Sequence, residues 1–499
     1  MPTAILLIVV PAAFGLLCLV LPSPRWRLGA MVAGAWAHLG VVLWSWQEQL
    51  APRNGEFFGI DPLGHLFVTL ISVLFAAAAV HFVGYHRAEL ISQRVFLACM
   101  LALLSALSVV CVSQNLGVLW VALEASTLAA APLIYFHLGA RALEATWKFL
   151  LMNSVGIALA LLGVFCMALA SIGGGTDVSL SVADLVAHGA ALDTAWVRAG
   201  FILVLVGYGT KMGLAPLHTW LPDAHGEAPA TISALLSGAV LNAAFLAIIR
   251  AYQICVAAGL GDFAGRWLIA LGLFSMAVAG VFVVGQRHFK RLLAYSSVEH
   301  MGILAVALGL GGAASYSTML HVFHNVLYKG SLFFIAGLLG HLYGSYQIAD
   351  IRGALHRHPL FGVLLLAALF AIVGLPPFGL FYSELGILFA AGSSGHWWVL
   401  GAFTLFLCIV FVGMVTAILP MVFGKPGEPK NGADAAEHGQ RWRYATMTTP
   451  IALLLAAGLV LASYQPLAVR HALEQAAATV AGPLPTAHVA SSESAEVGP

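Results

Sequence analysis

Long apolar runs separated by short polar loops dominate the chain. With about 20 residues needed per crossing, the pattern predicts fourteen spans. They lie near residues 2–21, 28–46, 63–85, 94–112, 115–137, 147–171, 196–221, 229–252, 267–286, 292–310, 314–340, 360–389, 398–423 and 447–465. Several exceed 20 residues, which leaves room for tilt or an internal break. The longest loops are 172–195 and 424–446. The tail after Gln465 is rich in Ala, Ser and Pro, a composition that predicts disorder. The expected fold is an all-α polytopic membrane protein.

Two of these spans carry breaking signals. In Tyr208-Gly-Thr-Lys-Met-Gly-Leu-Ala-Pro216 a lysine stands inside an apolar run, crowded by Gly209, Gly213 and Pro216. Proline removes a backbone donor and clashes with the preceding turn. The twelfth span carries Gly374-Leu-Pro-Pro-Phe-Gly379, followed by Glu384. A broken helix in lipid is tolerated only where protein or water satisfies the freed backbone, and paired breaks mark transport sites.

Composition narrows the function. Of 499 residues 61% are hydrophobic and 9% charged, which excludes an ordinary soluble domain. The net charge of +1 implies no bulk attraction to nucleic acid. The six cysteines all fall in apolar runs without CxxC spacing, so neither an iron–sulfur site nor a disulfide framework is expected. There is no nucleotide loop or haem ligand set either. The expectation is no cofactor in this chain, with electrons moving in partner subunits. The first run has no basic residue before it, which reads as a retained helix rather than a signal peptide.

Basic residues set an expected orientation. Loops after odd-numbered spans hold fourteen, among them Arg25, Arg141, Lys290, Arg291 and Arg443. Loops after even-numbered spans, with the tail, hold five: Arg53, Arg198, Arg250, Arg266 and Arg470. The positive-inside rule then places the odd loops in the cytoplasm and both termini outside. Of the 22 Lys and Arg, three remain within spans: Lys148, Lys211 and Lys329.

Glu124, Glu299 and Glu384 also lie within spans. Each of the six is costly in hydrocarbon, and the simplest arrangement has them facing one another or water inside the bundle. The spacing repeats. Glu124 to Lys148 and His300 to His324 are both 24 residues, and each series ends at a breaking span. Two copies of an odd, five-span unit must be inverted relative to each other. His321, His324, Asn325, Tyr328 and Lys329 fall within an arc of about 140° at 100° per residue, one polar stripe on span 11. Buried histidines suit a proton relay. A metal bound by His321 and His324 lacks further ligands, and a purely structural hydrogen-bonded stripe is the competing reading. Glu299 and His300 are adjacent and cannot both face one partner; His300 is favoured on the path. For Glu124, a structural partner of Lys148 or Lys211 is the competing reading.

Leu214-Ala-Pro-Leu-His-Thr-Trp-Leu-Pro-Asp-Ala-His-Gly-Glu-Ala-Pro229 and Lys290-Arg-Leu-Leu-Ala-Tyr-Ser-Ser-Val-Glu-His-Met-Gly302 resemble the antiporter-like subunits. Those subunits occur in respiratory complex I, membrane-bound hydrogenases and Mrp-type cation/proton antiporters. Val298-Glu-His-Met-Gly302 and Leu241-Asn242 resemble the hydrogenase-4 component F branch in particular. The resemblance implies about fourteen transmembrane helices with two inverted five-helix repeats, each containing a broken helix. Within it the chain divides into three N-terminal spans (1–92), a first repeat (93–258), a second repeat (259–424), and a cytoplasmic loop, last span and tail (425–499).

It also implies a proton path through Glu124, Lys148, Lys211, His300, His321, His324, Lys329 and Glu384. His218, Asp223, Asn242, Glu299 and Tyr328 would support that path. Where complex I members carry a lysine or histidine in span 8, this chain has Asn242, which holds no proton charge at neutral pH, so water must bridge there. The chain stops soon after span 14, unlike the largest complex I member.

The function implied is a proton-translocating, non-redox subunit of a respiratory complex in a prokaryotic inner membrane. Its partners would be other membrane subunits, including further antiporter-like ones, a peripheral hydrogenase or dehydrogenase module and the lipid bilayer, with no nucleic acid. Competing readings are a Na⁺/H⁺ antiporter subunit and a non-conducting scaffold.

Overall fold

The computed structural model describes residues 2–48, 57–85, 93–173, 179–425 and 441–481. It is built from helices in chain order. The first are α1 (Pro2–Val20), α2 (Pro24–Ser45), α3 (Pro62–Tyr85), α4 (Gln93–Val112), α5 (Leu116–Ile134) and α6 (Ala140–Gly173). Then come the short α7 (Val182–Ala187), α8 (Thr194–Met212), α9 (Trp220–Glu227), α10 (Ala230–Leu235), α11 (Leu241–Ala257), α12 (Gly261–Val283) and α13 (Phe289–Gly309). The chain continues with α14 (Ser315–Tyr343), the short α15 (Ala354–Arg357), α16 (Pro359–Ile372), α17 (Gly379–Ser393), α18 (Trp397–Phe423), α19 (Arg441–Ser463) and α20 (Leu467–Ala481). Among the described residues there are isolated bridges, such as Phe58 with Ser113, and no strand.

Twelve helical stretches among the described residues are long and apolar enough to cross a membrane. The two expected spans missing from that set are the interrupted ones, α8–α9 and α16–α17. From α4 onward, two five-span groups share one plan in which the fourth span breaks: α4, α5, α6, α8–α9, α10–α11, then α12, α13, α14, α16–α17, α18. α11 and α14 are central, with nearly every residue buried, whereas α1 and α18 turn apolar side chains outward. That inside-out pattern is expected of a bundle solvated by lipid.

The tail differs from its expectation. Residues 467–481 form α20, whose Leu473, Ala476, Ala477 and Val480 are buried at the i, i+3, i+4, i+7 spacing of an amphipathic face. Gln253 Nε2 donates to Thr479 O at 2.6 Å, and Tyr316 OH donates to Gln465 Oε1 at 2.8 Å. The helix therefore lies across the ends of α11 and α14. Most of the 424–446 loop and residues 482–499 lie outside the described residues.

One buried ion pair fixes α11 to the start of α3. Arg250 grips Asp61 with both amino groups, at 2.8 and 2.5 Å, and Asp61 Oδ1 also accepts from Gly64 N at 3.2 Å. Arg250, counted above as a loop residue, is a buried clamp. Lys290 and Arg27 are likewise buried. Removing the buried residues leaves twelve (14 − 2) against four (5 − 1), so the charge bias keeps its sign.

Candidate functional site

α8 stops because Gly213 takes a left-handed conformation, φ 84°, and Pro216 follows without a donor. The freed groups are met by protein. Leu214 N donates to Gly209 O at 2.8 Å, Trp220 Nε1 to Thr210 O at 2.9 Å, and Ala215 N to Ser275 Oγ at 2.9 Å. Lys211, in the last turn before this break, is fully buried. Its Nζ donates to Leu123 O at 2.8 Å and Thr127 Oγ1 at 2.5 Å, both on α5. Glu124, next to Leu123, acts on Lys211 electrostatically but does not contact it. Glu124 Oε1 accepts only from Ser154 Oγ, at 3.4 Å, and its buried Oε2 has no protein partner. The ammonium thus rests on neutral acceptors, with a carboxylate poised beside them.

The second half repeats the device. Lys329 of α14 is fully buried, and its Nζ donates to Ser296 Oγ at 2.8 Å and Leu293 O at 3.4 Å, both on α13. Glu299, on that same helix, acts on it electrostatically. His225, His300 and His321 also lie within electrostatic reach of Lys329.

The polar residues of span 11 then fan out. His321 reaches His300, Nε2 to Nδ1 at 3.1 Å, and its Nδ1 lies 3.0 Å from Ser383 Oγ on α17. His324 bonds Leu320 O of its own helix at 3.1 Å and leaves Nε2 without a protein partner. Tyr328 OH accepts from Gly379 N at 3.1 Å, closing the second break. Leu375 N donates to Phe370 O at 3.0 Å within that break. Glu384 faces Gly374, whose φ is 67°, and is within electrostatic reach of Glu299. Both carboxyls line a cavity of about 370 Å³ between α13, the second break and α18. Glu299 and His300 are therefore both in the site, Glu299 towards Lys329 and His300 towards His321.

Lys148 is not brought into this row. It is 47% exposed and pairs with Glu144 at 2.7 Å and Asp223 at 2.9 Å. The physical reason is helix face. Lys148 lies on the outward face of α6 with exposed Trp147, Leu151 and Val155, at i−1, i+3 and i+7, and so points away from α5 and α8. Glu124 is accordingly no partner of Lys148. Asp223 also binds Arg291, so it ties α6, α9 and α13 together at that edge. His218 is buried within the first break, with Nδ1 unpartnered by protein.

Asn242 follows a π turn, Leu236–Val240, a feature often found at functional sites. Its Nδ2 donates to Gly238 O at 3.0 Å, and Oδ1 has no protein partner. Asn325, fully buried on α14, has no protein partner on either amide atom. Ser237, inside the π turn, bonds Ser297 of α13 at 2.8 Å and so joins the two halves.

Three buried polar features beside the row were missed in the sequence. Lys290 Nζ donates to Ala228 O at 2.8 Å and stands 4.3 Å above the Tyr346 ring. Its place two residues before a span made it read as a topology signal. His225 is wholly buried, stacks on Phe333 with both ring nitrogens unpartnered by protein, and is within electrostatic reach of both Lys290 and Lys329. The Ser237–Ser297 contact carries no sequence signal. At the surface end of α13, burial holds the His288 imidazole down to about 4, helped by Lys290 and Arg291. The neutral ring keeps the Nδ1 lone pair that accepts from Arg291 N and caps the helix.

Comparison with known proteins agrees with this architecture. The chain is 37% identical over 421 residues to a hydrogenase-4 component F homolog from Methylacidiphilum infernorum (isolate V4), covering 81% of this chain and 86% of that one. Its fold is similar to a chain of respiratory complex I from Thermus thermophilus, with TM-score 0.74 and 26% identity over 92% of this chain and 97% of that one. It is also similar to a chain of the membrane-bound sulfane sulfur reductase, an archaeal respiratory membrane complex, with TM-score 0.84 and 22% identity over 96% of this chain and 98% of that one. The family described as NADH:quinone oxidoreductase/Mrp antiporter, TM, matches residues 113–410. With its two lysine devices, two broken spans and this match over more than half its length, the chain belongs to that family of antiporter-like membrane subunits.

Proposed function

We propose that this chain moves protons across a prokaryotic inner membrane as a non-redox subunit of a respiratory complex. The complex is of hydrogenase-4 or NADH:quinone oxidoreductase type. Electrons move in partner subunits, a peripheral hydrogenase or dehydrogenase module, and further membrane subunits flank this one. The odd loops face the cytoplasm and both termini face the periplasm, as the basic residues indicate.

One observation carries the reading. Lys211 and Lys329 are each fully buried on a helix carbonyl and a hydroxyl, with Glu124 or Glu299 nearby but not in contact. A permanently paired lysine would have a carboxylate in contact, since a lone buried charge is costly. A lysine with a carboxylate at a distance can be switched. Bringing the acid closer favours the charged form, and drawing it away favours release of the proton. The two devices would exchange protons through the seam of Ser237, Ser297, Asn242 and Asn325, where ordered water can bridge buried polar atoms. Lys290 and His225 lead towards Lys329 from one face, and Glu299 and Glu384 lead away from it.

Proton uptake by everted vesicles carrying the assembled complex tests this. Lys211→Met should abolish uptake driven by the redox partner while the subunits still co-purify. Uptake at the wild-type rate would show that the lysine is structural. Uptake that requires Na⁺ would favour the sodium/proton antiporter reading.

A further inference from the structure

We propose that His300, His321 and Glu384 form a binding site for a divalent transition-metal ion, best matched by zinc. One ligand atom from each lies within 4.8 Å of the others, and all three residues are buried. Two imidazoles and a carboxylate suit zinc and its neighbours and disfavour magnesium and calcium, which prefer an all-oxygen shell. The set matches the three-ligand zinc pattern that keeps a fourth position open. Of the three, Glu384 lines the 370 Å³ cavity, as does Glu299. Glu299, within electrostatic reach of Glu384 and of Lys329, adds a second carboxyl beside the site.

The histidine geometry supports the same assignment. Two nitrogens bound to one tetrahedral ion at about 2.05 Å lie about 3.3 Å apart, and His300 Nδ1 and His321 Nε2 are 3.1 Å apart. Ser383 Oγ donates to Leu380 O at 2.9 Å, so its oxygen accepts from His321 Nδ1–H. That fixes the tautomer in which Nε2 offers a lone pair, the outer support usual for a metal-bound histidine. His300 then donates its Nδ1 hydrogen to His321. The ion replaces that hydrogen, which moves to His300 Nε2, an atom with no protein partner. Glu384 binds as carboxylate, releasing its proton if it holds one.

On the proton route proposed above, an ion here occupies three residues of the second half, so zinc blocks outward transfer. The test separates binding from transport. Zinc chloride is added to the purified complex, bound metal is counted, and zinc X-ray absorption reads its first shell. The expected result is one zinc per chain with two imidazole nitrogens and carboxylate oxygen, lost in His321→Asn and Glu384→Gln. Ser383→Ala should weaken binding by about 10–100-fold, and Cys408→Ser should leave it unchanged. A shell containing sulfur, or binding unaltered by the first two variants in co-purifying complex, overturns the proposal. Zinc bound as expected without slowing proton uptake sustains the site and counts against the route.

Discussion

In the first half Lys211 leans on Leu123 and Thr127, with Glu124 on the same helix. In the second half Lys329 leans on Leu293 and Ser296, with Glu299 on the same helix. The settings match, and their surroundings do not. Glu124 is half-buried on the flank of α5, and the next charged groups, Lys148 and Asp223, sit in an ion network at the edge of the bundle. Around Lys329 everything is enclosed: His225, His300, His321 and the two carboxyls beside the cavity. Two copies of one backbone plan therefore carry one shared element, a lysine over a carbonyl and a hydroxyl. The first copy sets one half-buried carboxylate, Glu124, within electrostatic reach of its lysine. The second offers several buried titratable sites in succession.

The largest effect should come from removing the shared element. Lys211→Met and Lys329→Met should each reduce proton uptake to background in assembled complex. If only one does, the two devices are not equivalent and the comparison fails.

A second test contrasts enclosed with open charge. Arg250→Met strands Asp61 in the interior and should destabilise the detergent-purified chain by about 3–5 kcal/mol, read by thermal or denaturant unfolding. Next in size, Ser297→Ala removes one hydroxyl of the seam between the halves. Uptake should slow several-fold while the redox reaction of the partner subunits continues, which simultaneous assays of both would show. Smallest is Lys148→Met. An exposed pair contributes about 1 kcal/mol or less, and uptake should stay near wild type. A loss as large as that of Lys211→Met would place Lys148 in the row after all.

Much of this could be read before any coordinates. Run length gave the spans, and Gly213, Pro216 and the Gly374–Gly379 segment gave the breaks, because those residues act locally on the backbone. Lys211, Lys329 and Glu384 were identifiable because a charge inside an apolar run needs a partner. What the sequence concealed was set by distant contacts or by which face of a helix the bundle covers. The 24-residue spacing paired Lys148 with His324, yet α6 turns Lys148 to its exposed face and α14 buries His324. Lys290 is buried by Tyr346, 56 positions later (346 − 290). The apolar spacing of α20 at 473, 476, 477 and 480 was present in the sequence but masked by the composition of the whole tail.

The central claim is that both lysines carry protons rather than merely hold charge, and arginine separates the two roles. It keeps a positive charge and donors for the carbonyl and hydroxyl, and it does not deprotonate. Proton uptake should be measured in everted vesicles with Lys211→Arg and Lys329→Arg complexes, matched for assembly and redox activity. The account predicts strong impairment in both. Uptake near the wild-type rate in either would show that its lysine holds the fold and does not pass the proton.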